Sequence, residues 1–220
     1  MKTAIMVDGG FYRRRSQLVW GDKSPELRAI ELSDYCHRHL NSHGEHNNLY
    51  RIFYYDCPPS DKVVFHPFSR KQVKLKETEL YQWTLEFFEC LKRQRKFALR
   101  LGKLADEQAF YTVRPEIVKK LCGQKITWDE LSEEDFVLQI SQKGVDMRIG
   151  IDIASVAFKH QVDQIILLSG DSDFVPAAKL ARREGIDFIL DPLGAAIKPD
   201  LFEHIDVLRS CDKIFSKQKR

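Results

Sequence analysis

The chain has 220 residues, of which 43% are hydrophobic and 30% charged, and carries a formal net charge of +3. Such a length and composition give one sizeable core with room for an insertion and exclude a disordered or collagen-like chain; the charge is too small to identify a partner. The scattered cysteines Cys36, Cys57, Cys90, Cys122 and Cys211 form no CxxC pair, which argues against a zinc ribbon or a disulfide framework and for reduced, packed thiols.

The first element is the apolar run Thr3 to Val7, read as a buried strand. It is too short for a signal peptide or a membrane span and is closed at once by Asp8, so a cytoplasmic protein is expected. Gly9 and Gly10 follow, and their backbone amides suit a phosphate nest. Arg13, Arg14 and Arg15 come next, one of them expected to reach a phosphate; Arg13 is the candidate carried forward. His39 and His43, at helical spacing within the group His37, His39, His43 and His46, are a weak zinc signal, because no HExxH-like pattern completes them. A second strand, Leu49 to Tyr55, ends at Asp56.

Residues 58–142 exceed what a minimal sheet requires and read as a largely helical insertion within a single domain of residues 1–220. They hold a loop from Val63 to Lys76, a long helix from about Thr78 to Leu101 and further helical segments up to Asp135. Lys62, Arg70, Lys71, Lys74 and Lys76 interleave with Phe65, His66 and Phe68, a mixture suited to phosphate contact and base stacking. Trp83, Phe87 and Phe88 read as packing residues.

The segment Lys143 to Phe158 is, in its second half, apolar on nearly every helical face, as a buried helix is. Asp152 then sits among Ile149, Ile151, Ile153 and Val156, where an ionised carboxylate needs a cation, a donor network or a raised pKa. At about 100° per residue, Asp146 and Asp152 cannot share a face of one continuous helix, so Asp146 is expected to precede or cap it. The third strand, Gln164 to Leu168, runs into Ser169-Gly-Asp171-Ser172-Asp173, a cluster of hard oxygen ligands suited to Mg²⁺ or Mn²⁺. Helix capping is the alternative role for Asp146 and Asp173. The fourth strand, Ile186 to Leu190, meets Asp191, and Lys213 to Arg220 read as a frayed basic tail.

Apolar strands alternating with helices predict an α/β fold with a parallel sheet covered on both faces. Their C-terminal ends converge on one rim, where ligands bind in such sheets. Asp8 and Asp171 reach that rim as functional candidates, whereas Asp56 and Asp191 read equally well as turn formers or caps.

The ordered set Lys143-Gly-Val-Asp146, Asp152, Ser169-Gly-Asp171-Ser-Asp173-Phe174-Val-Pro176 and Arg182-Arg-Glu-Gly185, with Asp8 at the first strand, resembles the NYN domains, the PIN-like group that includes the LabA and DUF88 proteins. The resemblance implies a Rossmann-like PIN fold and a Mg²⁺- or Mn²⁺-dependent endoribonuclease, a hydrolase of RNA phosphodiester bonds. Asp8, Asp146, Asp152, Asp171 and Asp173 would be both metal ligands and catalytic residues. Substrate contacts would come from Gly9, Gly10, Arg13, Lys143, Ser169, Ser172, Lys71 and Lys74. The implied partner is single-stranded RNA, with no membrane involved and homodimerisation open. One departure stands out: Gly10 occupies a position where many members carry Asn. It motivates an alternative, a non-catalytic nucleic-acid or protein-interaction module with the same fold. A phospho-aspartyl phosphatase is disfavoured, because Asp8-Gly-Gly10 lacks the second acid of a DxD motif.

Overall fold

The structure is a computed structural model and describes residues 1–41, 46–212 and 214–215. In chain order the elements are β1 (Lys2–Asp8), α1 (Gly9–Trp20), α2 (Pro25–Leu40), β2 (Asn48–Asp56), β3 (Val63–His66), β4 (Lys71–Lys74), α3 (Glu79–Arg93), β5 (Phe97–Leu101) and β6 (Lys103–Val113). They continue with α4 (Pro115–Cys122), β7 (Phe136–Lys143), α5 (Val145–Phe158), β8 (Gln164–Leu168), α6 (Val175–Arg183), β9 (Asp187–Asp191), α7 (Pro199–Glu203) and β10 (Val207–Leu208).

Among the described residues the main sheet has six strands in the order β10-β9-β8-β1-β2-β5, and every adjacent pair is parallel. The α/β class and the covered parallel sheet expected from the apolar runs are what the molecule has. Side-chain alternation in β1 divides the core. Ala4 and Met6 face a layer containing Ile149, Ile153 and Ala178, whereas Ile5 and Val7 face Tyr12, Leu32, Tyr35 and Phe87. All of these side chains are fully buried. A strand buried on both faces needs apolar residues at both parities, which is why β1 reads as a continuous run rather than an alternation.

The sheet winds outward from β1 in two directions: β2 and β5 lie on one side, β8, β9 and β10 on the other. The reversal places a crevice at the C-terminal ends of β1 and β8, the position where doubly wound sheets bind ligands. Asp8 ends β1, and Ser169 follows β8.

Residues 58–142 differ from the expected helical insertion. The helix thought to run to Leu101 stops at Arg93, and Phe97–Leu101 turns back as the edge strand β5 of the main sheet. Segments read as helical beyond it form the long antiparallel ribbon β6–β7, with α4 between its strands, and Val63 to Lys74 form a second hairpin, β3–β4. The helix α5 also differs. Its inner face carries Ile149, Ile153 and Val156, but Met147, Ile151 and Phe158 are exposed, so it covers the sheet rather than lying within the core.

Candidate active site

Asp8 is placed by two roles that the sequence gives it at once. As the last residue of β1 it is carried to the crevice, and as the N-cap of α1 its Oδ1 accepts a hydrogen bond from the Phe11 amide at 3.0 Å. Its Oδ2 accepts from Ser169 Oγ at 3.2 Å, which ties the ends of β1 and β8 together. Gly9 is required here by close approach: a Cβ would come within 2.6 Å of the Tyr54 ring and the Tyr55 carbonyl oxygen. That explains Gly9 by packing of α1 on β2.

Asp171 leaves the turn after β8. Its amide donates to Ser169 Oγ at 3.3 Å, and its Oδ1 accepts from the Asp173 amide at 3.0 Å, capping a short 3-10 turn. Capping therefore falls to Asp171, where Asp173 had been the stronger candidate. Asp146 is not a cap either. The N-cap of α5 is Gly144, at φ 77°, and Asp146 stands in the first helical turn, where a carboxylate favours the helix dipole.

The four acids act on one another electrostatically. Burial, opposed by the Phe11 and Ser169 hydrogen bonds, raises the Asp8 carboxyl above its ordinary value, and Asp146 pushes it the same way. Partial burial raises Asp146 as well, and the charges of Asp171 and Asp173 add to the shift. The Arg14 charge offsets only part of the shift at Asp8, and carboxylates clustered beyond what nearby cations neutralise favour binding of a further cation. The donor chemistry, carboxylate oxygens beside the Ser169 and Ser172 hydroxyls, fits a hard divalent ion. As they stand, however, no three acidic, histidine or thiol groups among the described residues converge closely enough to hold one.

Asp152 lies apart from this cluster. It pairs with Arg100 Nε at 3.0 Å and accepts from the Tyr55 hydroxyl at 2.9 Å, with no place in the crevice. The sequence correctly marks Asp152 as a carboxylate needing a partner. The partner is a guanidinium on β5, hidden because that strand reads as helix.

A cavity of about 830 Å³ opens beside Asp8, Asp146 and Asp171. Along one wall run Gly10, Arg13, Arg14 and Gln17, spaced so that one face of α1 lines it; Ile140 and Gln142 of β7 form part of the lining, with Lys23, Leu80 and Trp83 further out. Arg13 is only partly exposed and is already engaged. Its Nη2 donates to Oδ1 of Asp56 at 3.0 Å, and Asp56 is itself fully buried, accepting also from Tyr54 OH, the Cys57 amide and Gln142 Nε2. Arg15 Nη2 donates to the Leu193 carbonyl at 2.8 Å. Arg14 is the exposed member and, among the described residues, forms no ion pair, so it is the one poised for an incoming anion. Helical spacing from Gly10 sets Arg15 aside but does not separate Arg14 from Arg13.

The other expected contacts scatter. Lys143 is exposed at the end of β7, opposite Lys103, and Ser172 Oγ accepts from Lys198 Nζ at 3.0 Å, a cation that the sequence reading passed over. Lys71 and Lys74 sit on the β3–β4 hairpin, do not line the cavity, and Lys74 pairs with Glu77 at 3.0 Å. Trp83, taken as a packing residue, stacks on Phe87 with 5.0 Å between ring centroids and also lines the cavity. His39 is buried against Asp191 at 2.7 Å, while His43 and most of the Lys213 to Arg220 tail lie outside the described residues. No helix among the described residues is long and apolar enough to cross a membrane.

The NYN domain family model matches residues 86–202, a span that contains Asp146, Asp171 and Asp173. Among solved structures, the chain is similar to the crystal structure of a protein of unknown function from Vibrio parahaemolyticus. The identity is 16%, the match covers 97% of this chain and 94% of that one, and the TM-score is 0.48. No curated protein matches.

Proposed function

Because the chain belongs to the NYN domain family, within the PIN-like nuclease superfamily, we propose that it is a metal-dependent endoribonuclease acting on single-stranded RNA. The observation that carries this reading is that Asp8, Asp146 and Asp171 line one cavity at the sheet's reversal point, walled by α1, with the charges of Asp171 and Asp173 felt at Asp146 and that of Asp146 felt at Asp8. Asp152 is left out, since Arg100 already neutralises it.

In this mechanism Asp8, Asp146, Asp171 and Asp173 would hold Mg²⁺ or Mn²⁺. When bound, such an ion would activate water and stabilise charge on the phosphate and the leaving oxygen. The chain's own groups do the rest. Ser169 fixes the rotation of the Asp8 carboxylate through its hydroxyl, and the N-cap bond to Phe11 fixes the other oxygen. Arg14 attracts the phosphate backbone along α1, and the Trp83 ring offers a face for an unpaired base. Buried Asp56 keeps Arg13 turned inward, where it supports the wall of the cavity.

The spacing of the acids favours one other reading, a nucleic-acid-binding module that does not cut. A single assay separates them: single-stranded RNA and DNA incubated with Mg²⁺, Mn²⁺ or chelator, using the chain, Asp8→Asn and Asp171→Asn. Cation-dependent cleavage that falls about 10²-fold or more in either variant is expected. Cleavage surviving both substitutions sinks the assignment, and RNA binding without cleavage in the unaltered chain supports the module.

A further inference from the structure

The β6–β7 ribbon reaches the acidic crevice with Ile140 and Gln142, of which Gln142 carries the polar groups. Gln142, near the end of β7, donates from Nε2 to Oδ1 of Asp56 at 3.2 Å, and Asp56 in turn holds Arg13. A Cβ built on Gly10 would lie 3.4 Å from Gln142 Oε1 and 3.7 Å from Asp8 Oδ1. A carboxamide from a strand remote in sequence thus stands within ordinary van der Waals reach of the position above Gly10, on the same side as the first acid of the site. Gly10 lies within the first turn of α1 and is not among the glycines with positive φ, so neither its backbone nor its surroundings demand glycine, and a side chain placed there would meet Gln142 and Asp8.

The chemistry of the pair is specific. A carboxamide has two N–H donors and an acceptor oxygen. In Gln142 the bond to buried Asp56 engages one donor and fixes the side chain, leaving the second N–H and Oε1 for a ligand in the cavity that Gln142 lines. A neutral donor suits this place. An ammonium group so near Asp8, Asp146 and Asp171 would pair with the acids and compete with a divalent ion, whereas an amide can approach a phosphate oxygen without cancelling them.

We propose that Gln142 is a substrate-contacting residue of the acidic site, its remaining N–H binding the phosphate of the RNA strand next to Asp8, so that the β6–β7 ribbon completes a site which β1, α5 and β8 leave open above Gly10. The assignment rests on the nuclease reading for its substrate, and the experiment keeps the two apart. Transfer of the amide is the decisive test: Q142A, G10N and the double variant G10N/Q142A are compared for kcat/KM on single-stranded RNA with Mn²⁺, and for RNA affinity in chelator. Q142A is expected to lose about 10²-fold in kcat/KM. The double variant, with an amide restored from α1, is expected to recover to within about tenfold of the unaltered chain, a non-additivity that a purely structural bond from Gln142 to Asp56 would not produce.

Unchanged kcat/KM in Q142A overturns the proposal, as does a double variant no better than Q142A. Should the unaltered chain bind RNA without cutting it, the hydrolase reading fails alone and the affinities decide. Weaker binding in Q142A restored in the double variant supports the Gln142 contact, and equal binding in all variants refutes it. A chain that neither binds nor cuts RNA overturns both.

Discussion

Burial and mutual repulsion raise Asp8 and Asp146 above the ordinary carboxyl value of 3.8, and the sign of that shift sets a pH dependence. A carboxyl whose folded-state pKa is raised contributes stability that is complete below 3.8 and is lost as pH rises through the higher folded value. With chelator present, Asp146→Asn is therefore expected to melt above the unaltered chain at about pH 7, the difference closing as pH falls below about 4. Melting curves across that range check it, and an advantage that persists in acid would refute the electrostatic cause. Divalent cations are expected to raise the melting temperature of the unaltered chain more than that of the variant. The same residues show how far single positions were legible. Asp8 and Asp171 could be found because strands deliver them. Arg13 could not be told from Arg14, because the choice depends on Asp56, a carboxylate that reads from sequence as a turn former and is in fact a buried hub.

The second buried carboxylate hub joins three elements. Asp191, at the end of β9, accepts from Tyr35 OH at 2.5 Å and His39 Nε2 at 2.7 Å on α2, from the Leu193 amide at 2.8 Å, and from Ser210 Oγ at 2.5 Å beyond β10. Removing the shared acceptor strands several buried donors, so Asp191→Ala is expected to destabilise the fold by about 3 kcal/mol. Urea unfolding measures it, and an unchanged midpoint would show the network to be dispensable. Among the elements, β1, β2, β8 and β9 were legible because each is a short, predominantly apolar and β-rich run ending at or near an Asp, although Arg51 interrupts β2 and Asp187 opens β9. The strand β5 was not. Phe97–Leu101 follows Lys92-Arg-Gln-Arg-Lys96 without a Gly or Pro, and the chain reverses at Lys96, a non-glycine residue at φ 66°. Likewise Leu104-Ala-Asp-Glu-Gln-Ala109 has helix-forming composition, yet pairing with β7 makes it part of a ribbon. Tertiary pairing overrode local preference in both places, and the error propagated to Asp152 by concealing Arg100.

Across the whole molecule the net charge of +3 leaves little general attraction for RNA, so the proposed binding depends on placed cations such as Arg14 at the cavity, Lys23 being paired with Glu31. Affinity for single-stranded RNA is expected to fall with salt at a slope of about −0.7 per phosphate contacted, and Arg14→Ala to reduce the slope by about that amount. Anisotropy titrations over a salt series measure it, and an unaltered slope would remove Arg14 from the path. One consequence of the strand order concerns synthesis of the chain. β1 lies between β2 and β8, and β8, which begins only at Gln164, is made long after both. Until then one hydrogen-bonding edge of β1, whose residues Ala4 to Val7 are wholly buried in the fold, stays open, and Asp171 and Asp173 are not yet part of the chain. Docking of β8 both closes that edge and brings the turn with Asp171 and Asp173 towards Asp8, so protection of β1 and formation of the acidic crevice depend on the same strand pairing.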